Sequence, residues 1–445
     1  MSFDFTRHDF PDGFLFGTAT AAYQIEGSSH GNCGPSHWDT WSSVAGNVAN
    51  ADNGAVACDS YHRWEEDLDL IKAGGFDAYR FSTSWARTMP DGVTVNQEGL
   101  DYYDRLVDGI VARGLKPNLT LYHWDLPAAL ADTGGWMNRD TALRFVEHTQ
   151  AVIDRIGDRV EMVATINEPF CVAWLGHFVG VHAPGLRDIR GAARALHHIL
   201  LAHGLSMQAM RELGQDNLGI VLNLTHVMPA TNSAADAAAT QRADAINNRW
   251  FLDGVLKGAY PEDMLSALAP HMPAGFEADM GTVSAPLDWL GINYYTRTLG
   301  ADDPGAPWPA LRDVSGPLPK TDMGWEIFPD GLEILLKRVN REYTQGRIPL
   351  IVTENGMAND DTLRGGACND AARVNYIRDH LNAVRRTINA GVPVRGYFAW
   401  SLLDNYEWAF GYDKRFGIVH VDYDTLARTP KASFDAFRSA LARNT

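Results

Sequence analysis

Short runs of apolar and β-branched residues alternate along the chain with longer amphipathic segments. Eight of these runs have the length of buried strands. They span residues 14–22, 78–84, 116–123, 160–167, 218–224, 287–295, 349–354 and 394–401. Because strands separated by helices pair in parallel through right-handed crossovers, eight such units predict an α/β protein. We expect a closed (β/α)8 TIM barrel with inserted loops at the carboxyl-terminal face of its strands.

The amphipathic segments between these runs predict helices. The clearest apolar face repeats every three or four residues, and its members are Val374, Ile377, Leu381, Val384 and Ile388. Asn369 or Asp370 precedes this face, and both are residue types that cap the amino termini of helices. Gly391 and Pro393 follow the face and are expected to end the helix.

A chain of 445 residues could form one large domain or two or three ordinary ones. No Pro/Gly/Ser-rich linker or block of charge divides it, so we expect residues 1–445 to form a single barrel domain. A doubly wound open sheet is the alternative architecture. That fold would bind its ligand where the strand order reverses, and neither a G-x-G-x-x-G turn nor a P-loop marks such a place.

Composition narrows the classes of partner. Hydrophobic residues make up 45% of the chain and charged residues 21%, which is typical of a soluble globular protein. The net charge of −17 argues against a nucleic-acid partner, which would need clustered Lys and Arg. Residues 1–10 lack the apolar core of a signal peptide, and the longest uncharged stretch, 170–186, is too short and too polar to span a bilayer. We therefore expect a cytoplasmic protein, and its four scattered cysteines fit reduced thiols.

Polar and aromatic side chains gather at the carboxyl ends of the predicted strands. In a (β/α)8 barrel, these ends carry the functional residues. The members of this set are Gln24, Glu26, Arg80, His123, Trp124, Asp125, Asn167, Glu168, Asn223, Asn293, Tyr295, Glu354, Asn355, Trp400 and Ser401. Their shared position predicts one functional site at this face, but it does not name a reaction.

Two strand ends present a glutamate next to a residue that interrupts the strand. Glu168 belongs to Thr-Ile-Asn-Glu-Pro at 165–169, and Glu354 belongs to Thr-Glu-Asn-Gly at 353–356. Two carboxyl groups can divide the cleavage of a glycoside, one protonating the leaving oxygen and the other attacking the sugar or activating water. A single glutamate in this context is better explained as a helix start or a salt bridge, but two matching contexts favour a catalytic pair. Arg80 and Tyr295 are candidates to keep one of the two ionised.

The aromatic inventory favours a carbohydrate ligand. Thirteen tryptophans is a high count, and a sugar ring offers C–H faces for stacking and a rim of hydroxyls for hydrogen bonds. The candidate sugar-binding residues are Trp124, Trp325, Trp400 and Trp408, together with Gln24, His123, Asn293 and Glu407. For five other tryptophans we favour positions in the core, namely Trp38, Trp41, Trp64, Trp250 and Trp289.

Four segments match one known pattern in both order and spacing. They are residues 14–27 (Phe-Leu-Phe-Gly-Thr-Ala-Thr-Ala-Ala-Tyr-Gln-Ile-Glu-Gly), 123–127 (His-Trp-Asp-Leu-Pro), 165–169 and 353–356. With these segments the chain resembles the β-glucosidase family of retaining glycoside hydrolases, glycoside hydrolase family 1, over nearly its whole length. The resemblance implies hydrolysis of terminal non-reducing β-D-glucosyl residues by double displacement with retention of configuration. β-Galactosides and β-fucosides are further candidate substrates.

The resemblance also implies catalytic roles. Glu168 would be the general acid and then the general base, and Glu354 the nucleophile that forms a covalent glycosyl intermediate. Asn167 would hydrogen-bond the sugar 2-hydroxyl, a contact that strengthens in the transition state. The residues implied to hold Glu354 ionised and oriented are Arg80, Tyr295 and Asn293.

The same resemblance implies the residues that contact the substrate. Gln24, His123, Glu407 and Trp408 would bind the remaining hydroxyls, and Trp400 would form a stacking platform. The rest of the substrate-binding set is Trp124, Phe416 and, on the leaving-group side, Trp325 and Phe170. The family often has tryptophan where this chain has Phe170.

Two alternative functions depend on single positions. A 6-phospho-β-glycosidase would replace the glutamate at 407 with serine, whereas Glu407 would repel a phosphate dianion and Phe416 cannot donate a hydrogen bond to it. Lys414 alone is weak support for phosphate. A catalytically weak sugar-binding barrel would have lost a carboxylate, whereas Glu168 and Glu354 are both present.

No cofactor and no metal are predicted. His197, His198 and His203 share one helical run without an H-E-x-x-H arrangement, so we expect them in the core or on the surface. The expected partner is a small-molecule β-glycoside or short oligosaccharide, with no nucleic acid and no membrane. Monomer and homo-oligomer both remain open.

Overall fold

The eight predicted strands form a closed parallel barrel, which confirms the expected fold class. The computed structural model describes residues 2–443. The barrel strands are β1 (Leu15–Ala19), β2 (Ala78–Ser82), β3 (Lys116–Tyr122), β4 (Met162–Asn167), β5 (Leu218–Asn223), β6 (Trp289–Asn293), β7 (Leu350–Asn355) and β8 (Val394–Trp400). Strands that are consecutive in the chain are neighbours in the barrel, and β8 closes against β1. The first strand is shorter than predicted, because it ends at Ala19 and a helical turn begins at Ala22.

Helices surround the barrel and fill its connections. They are α1 (Ala22–Ile25), α2 (His37–Ser42), α3 (Ser60–Ala73), α4 (Trp85–Thr88), α5 (Gln97–Ala112), α6 (Ala128–Asp132), α7 (Arg139–Ile156), α8 (Ile189–Glu212), α9 (Ala234–Asp244), α10 (Trp250–Lys257), α11 (Glu262–Leu268), α12 (Met280–Val283), α13 (Pro329–Val339), α14 (Ala371–Asn389) and α15 (Ala432–Ala440). Segments of π-helix span Cys171–Val179, Ala245–Arg249 and Asn340–Thr344, and short 3-10 turns span Arg7–Asp9, Ala49–Ala51, Gly135–Met137, Gly157–Arg159, Ala269–His271, Phe276–Asp279 and Trp408–Phe410. Within residues 2–443, no helix has both the length and the apolar character needed to cross a membrane.

The helix predicted from the apolar face at 374–388 is α14, and four of the five residues of this face are buried, whereas Ile388 is partly buried. Asp370 occupies the position before its first turn, as predicted, but its side chain does not cap the helix. The carboxylate instead pairs with Arg373 at 2.6 Å and accepts a hydrogen bond from the Ser433 hydroxyl. A nearby buried cation therefore determines the role of this aspartate.

Two small sheets lie outside the barrel and were not predicted. One has three strands, His226–Pro229, Arg297–Asp302 and Leu311–Asp313, and the other pairs Val419–Val421 with Arg428–Pro430. The first two strands of the larger sheet follow closely after β5 and β6. Because they continue from the carboxyl ends of these strands, the sheet extends the face at which the site is expected.

Two apolar layers hold the barrel together. The larger lies between strands and helices, and the smaller includes strand side chains such as Met162, Trp289, Ile351 and Phe398, which are 7% exposed or less. The five tryptophans assigned to the core are buried or packed against it, as expected.

A buried ion cluster joins the segment after β7 to α14 and α15. Arg373 pairs with Asp361 at 2.5 Å and with Asp370 at 2.6 Å, and Lys431 pairs with Asp361 at 2.5 Å and with Asp404 at 2.6 Å. The side chains of all five residues are fully buried. The cluster thus ties the chain beyond Glu354 to the helical layer.

Arg373→Met is expected to lower the free energy of unfolding by about 3–5 kcal/mol, because it leaves buried carboxylates without their partner. Arg386→Met is the matched control, since Arg386 is half exposed and its ion pairs with Asp330 and Glu333 should contribute at most about 1 kcal/mol. Urea denaturation of both variants measures the difference. Equal losses would show that burial of the cluster adds nothing.

Candidate active site

The two glutamates lie at the carboxyl-terminal face of the barrel. Glu168 directly follows the last residue of β4, and Glu354 is the penultimate residue of β7. They are 5% and 2% exposed, and both line a cavity of about 620 Å³. Parallel strands bring two residues that are far apart in the sequence to one end of the barrel, as the strand assignment predicted.

A hydrogen-bond network connects the two glutamates. The Arg80 guanidinium donates from Nη1 to Glu354 Oε1 at 2.5 Å and from Nη2 to Asn167 Oδ1 at 2.7 Å. Asn293 Nδ2 donates to the same Asn167 oxygen at 3.0 Å and to Glu168 Oε1 at 2.7 Å. Thr353 holds Asn293 by donating to its Oδ1 at 2.7 Å. Residues of four strands, β2, β4, β6 and β7, thus hold both carboxyl groups in one hydrogen-bonded network.

Glu354 has the environment of an ionised carboxylate. Arg80 binds Oε1, and the Tyr295 hydroxyl donates to Oε2 at 2.5 Å. Burial raises the pKa of Glu354 above its ordinary value, and the Arg80 charge and the hydrogen bonds from Tyr295, Arg80 and Asn293 limit this rise. Since both oxygens are bound by donors and one donor is a buried cation, the group is held charged and oriented.

Glu168 has the environment of a protonated acid. Its side chain accepts hydrogen bonds from Asn293 and Cys171 and has no ion pair among residues 2–443. Burial, followed by the negative charge of Glu354, raises the pKa of Glu168 to about 8, although the hydrogen bonds from Asn293 and Cys171 oppose the shift. If the pair holds one proton, that proton therefore belongs on Glu168.

Three residues of the site have backbone conformations that are costly for L-amino acids. Trp124, Glu168 and Trp408 have φ values of 80°, 49° and 49°. Each such residue costs about 1–3 kcal/mol, which the surrounding packing must offset. Gly356, in the Thr-Glu-Asn-Gly segment, is required for a different reason, which is lack of space. A Cβ at this position would lie 1.8 Å from the carbonyl oxygen of Trp400.

Beside the cavity lie buried polar atoms that have no protein partner within residues 2–443. They include Gln24 Oε1, His123 Nδ1 and Glu407 Oε2. Gln24 Nε2 is held by the Tyr406 carbonyl at 2.7 Å and by Asn405 Oδ1 at 3.0 Å, which fixes the direction of the free oxygen. Burial and the charges of Glu354 and Glu168 raise the pKa of Glu407 to about 8. Such atoms are suited to a ligand rich in hydroxyl groups.

The structure brings the predicted site residues together. Those that line the cavity are His123, Trp124, Glu168, Phe170, Asn293, Tyr295, Trp325, Glu354, Trp400, Glu407, Trp408 and Phe416. Arg80 and Asn167 contact these residues through hydrogen bonds to Glu354, Asn293 and His123, and Gln24 lies beside Glu407. Within the set, His123 stacks on Trp400 with ring centroids 5.7 Å apart, and Trp124 packs against Trp408 at 4.5 Å.

Some strand-end residues belong to other networks. Glu26 pairs with Arg87 at 2.8 Å, and Asn355 binds the Tyr294 carbonyl and the hydroxyl of Tyr397. Position at a strand end was therefore not sufficient to assign a residue to the site.

Sequence reasoning missed much of the outer cavity. The additional lining residues include Trp174, Leu175, Val181, Ile246, Leu311 and Asp313. Most of them lie in the π-helices or the three-stranded sheet after the barrel strands, which had no periodic pattern to predict them. The sequence indicated only a few residues of this region, namely Asn223 as a strand-end residue and Phe170 and Trp325 on the leaving-group side, and all three line the cavity.

The histidines raised as metal-ligand candidates have other partners. His197 binds Tyr260 and Asp279, His198 binds the Trp136 carbonyl and His203 binds Thr165. These contacts explain them as structural residues.

Among residues 2–443, one cluster of His and Asp side chains has the residue types of a metal site: His30, Asp59 and His62. Asp59 Oδ1 lies 2.6 Å from His62 Nδ1, closer than the separation of about 3.3 Å between two ligand atoms on tetrahedral zinc. The Arg87 guanidinium also donates to the His30 carbonyl. The cluster fits an Asp–His hydrogen bond better than a metal site.

Comparisons with known proteins agree with this geometry. The sequence profile described as Glycosyl hydrolase family 1 matches residues 6–445. A β-glucosidase of Agrobacterium sp. (strain ATCC 21400) is 48% identical over 97% of this chain and 95% of that protein, and a bifunctional β-D-glucosidase/β-D-fucosidase of Bifidobacterium breve is 46% identical over 97% and 98%. A β-glucosidase structure from Thermotoga maritima in complex with glucoimidazole has a TM-score of 0.93 and 44% identity over 97% of this chain and 98% of that one.

Proposed function

The chain belongs to glycosyl hydrolase family 1, and on that premise we propose that it is a β-glucosidase in which Glu168 is the acid/base and Glu354 the nucleophile. The observation that carries the assignment of roles is the asymmetry of the pair. Glu354 is bound by Arg80 and Tyr295, whereas Glu168 is held by neutral donors and its pKa is raised to about 8.

In the first step, Glu354 attacks the anomeric carbon and Glu168 gives its proton to the departing glycosidic oxygen. The bond between sugar and leaving group breaks as the bond to Glu354 forms, which yields a covalent glycosyl ester. Asn167, which is fixed by Arg80 and Asn293, is placed to bind the 2-hydroxyl as positive charge develops on the ring.

In the second step, Glu168 takes a proton from water, which attacks the anomeric carbon and releases Glu354. The change of role follows from electrostatics. Once Glu354 is an ester, the negative charge that helps raise the pKa of Glu168 is gone, so its pKa falls and it is ready to act as a base. Two inversions at one carbon give net retention.

The preferred substrate is an unphosphorylated β-glucoside, with β-fucosides and β-galactosides as further substrates. The free oxygens of Gln24 and Glu407 support hydroxyl binding, and the bifunctional relative supports the fucoside. A 6-phospho-β-glycoside is disfavoured, because Lys414 is bound to Asp322 at 3.1 Å and Glu407, which lines the cavity, offers no positive charge to a phosphate dianion.

Three further inferences complete the proposal. Residues 1–445 act as one catalytic domain, since all eight strands close a single barrel. Short β-glucan oligosaccharides derived from cellulose are the natural substrates, supported by relatives named 1,4-β-D-glucan glucohydrolase. The enzyme acts in the cytoplasm, where four free thiols would persist.

Proton NMR of the first sugar released from 4-nitrophenyl β-glucoside tests the proposal. The β-anomer is expected to appear first and then to mutarotate, and the matched substrates are the β-galactoside, the β-fucoside and the β-glucoside 6-phosphate. Initial release of the α-anomer would exclude the double displacement, and turnover confined to the 6-phosphate would exclude the proposed substrate class.

A further inference from the structure

A buried thiol contacts the proposed acid/base residue. Cys171 is the first residue of the π-helical segment Cys171–Val179, is 7% exposed, and places Sγ 3.3 Å from Glu168 Oε2. The other oxygen of this carboxyl, Oε1, accepts from Asn293 at 2.7 Å. Each oxygen of Glu168 therefore has one protein donor of its own.

Two hydrogen bonds fix the direction of the Cys171 thiol. Asn223, the last residue of β5, donates from Nδ2 to Cys171 Sγ at 3.6 Å. The Cys171 N–H also donates to the Glu168 carbonyl at 3.0 Å, so the turn through Pro169 holds sulfur and carboxyl together. With its sulfur accepting from Asn223, the thiol is left to donate its proton towards Glu168.

The geometry points to a role for Cys171 as a positioning residue for Glu168, in which the S–H group, aligned by Asn223, orients the carboxyl and favours its carboxylate form. This inference rests on the proposed assignment of Glu168 as acid/base. It assigns no chemistry to the sulfur itself. Burial and the neighbouring charge of Glu168 raise the pKa of the Cys171 thiol well above its ordinary value, so it stays a neutral donor rather than a nucleophile.

The contact has a consequence for both steps. Its hydrogen bond opposes the shift that burial and Glu354 impose on the pKa of Glu168. Without the donor, Glu168 would hold its proton to higher pH and would be a less populated carboxylate when the second step requires a base. Only the hydrogen bond from Asn293 would then restrain rotation of the Glu168 carboxyl group.

The test is the pH profile of kcat/KM for an alkyl β-glucoside, whose leaving group requires a proton. The alkaline limb of the wild type should lie near pH 8, because it reports the pKa of Glu168, the proposed acid. Cys171→Val removes the donor while keeping the site filled, and it is expected to move this limb upward by about 0.5 pH unit and to reduce kcat more than it changes KM. If the valine variant folds poorly, the pH profile of Cys171→Ala provides a second measurement of the same effect.

Two variants separate a positioning role from packing. Cys171→Ser retains a donor and should reverse most of the shift, so that the alkaline limb lies close to its wild-type pH. Cys368→Val replaces another buried thiol, whose charged neighbours are Asp361 and Lys431, and should leave the limb unmoved.

An unmoved limb in both Cys171→Val and Cys171→Ala would overturn the inference, as would a serine variant shifted as far as the valine variant. An equal shift in Cys368→Val would also overturn it. A wild type inactive on every β-glucoside would overturn the proposed function, and the inference with it. An active wild type with unmoved Cys171 variants overturns the inference alone.

Discussion

Glu354→Ala is expected to reduce turnover of 4-nitrophenyl β-glucoside by on the order of 10⁵-fold or more, because no other group can form the glycosyl ester. The strength of this prediction comes from the surroundings of Glu354. Arg80 and Tyr295 bind both of its oxygens. A neighbouring side chain therefore cannot rotate into this position and act in place of Glu354. Initial rates with purified protein measure the loss.

The variant also leaves Arg80, which is 2% exposed, without its ion-pair partner. Circular dichroism must therefore show a folded protein at the assay temperature, and Glu354→Gln provides a second variant of nearly unchanged volume. Glu342→Ala, at an exposed glutamate paired with Arg338, is the control expected to keep normal turnover.

A small anion distinguishes loss of the nucleophile from loss of structure. Azide should enter the space left by Glu354→Ala beside Arg80 and attack the sugar directly, giving the α-glycosyl azide by a single inversion. Turnover within 10-fold of the wild type, or β-glycosyl azide as the product, would remove Glu354 from the nucleophile role.

The barrel could be predicted because each of its strands can be recognised from a short stretch of sequence. Each strand is a short run rich in apolar and β-branched residues, since it is mostly buried on both faces, and such runs stand out from the amphipathic helices between them. The three-stranded sheet lacked this signal. Its strands His226–Pro229 and Arg297–Asp302 are short and mostly only partly buried, and their pairing depends on how β5 and β6 bring them together.

The position of the proposed catalytic pair at one face of the barrel could be predicted for the same reason, whereas its electrostatics could not. Glu168 and Glu354 occupy matching positions at strand ends, but the assignment of charge depends on Arg80 reaching Glu354 across the barrel. That contact joins residues 274 positions apart. Only the closed barrel determines which carboxyl receives the cation.

Cys171 shows the limit of interpretation from sequence neighbours. Phe170 and Val172 indicate a packing thiol, and the residue is buried as that interpretation requires. Its contact with Glu168 depends on the turn after β4 and on the positive φ of Glu168, which no sequence pattern indicated. The acid and the thiol therefore meet at a turn whose backbone conformation only the structure shows.

Glu168→Ala is expected to separate substrates by the quality of their leaving group. A glucoside with a poor alkyl leaving group should lose about 10²–10⁴-fold in kcat/KM, because its oxygen departs without a proton. A dinitrophenyl glucoside should lose far less in kcat/KM, since its leaving group is stable as an anion. The alkaline limb near pH 8 should vanish for both, because the titrating acid has been removed.

The second step provides an independent check of the same residue. Without Glu168 no base activates water, so the glycosyl ester on Glu354 should accumulate with the dinitrophenyl substrate and appear as a burst of released phenol. Azide should relieve this block and give the β-glycosyl azide, the opposite anomer to that from Glu354→Ala, because the ester has already inverted the carbon once. Equal losses on alkyl and dinitrophenyl substrates, or a surviving alkaline limb, would contradict the acid/base role. The asymmetry between a carboxylate held by Arg80 and an acid held by Asn293 and Cys171 requires both results together.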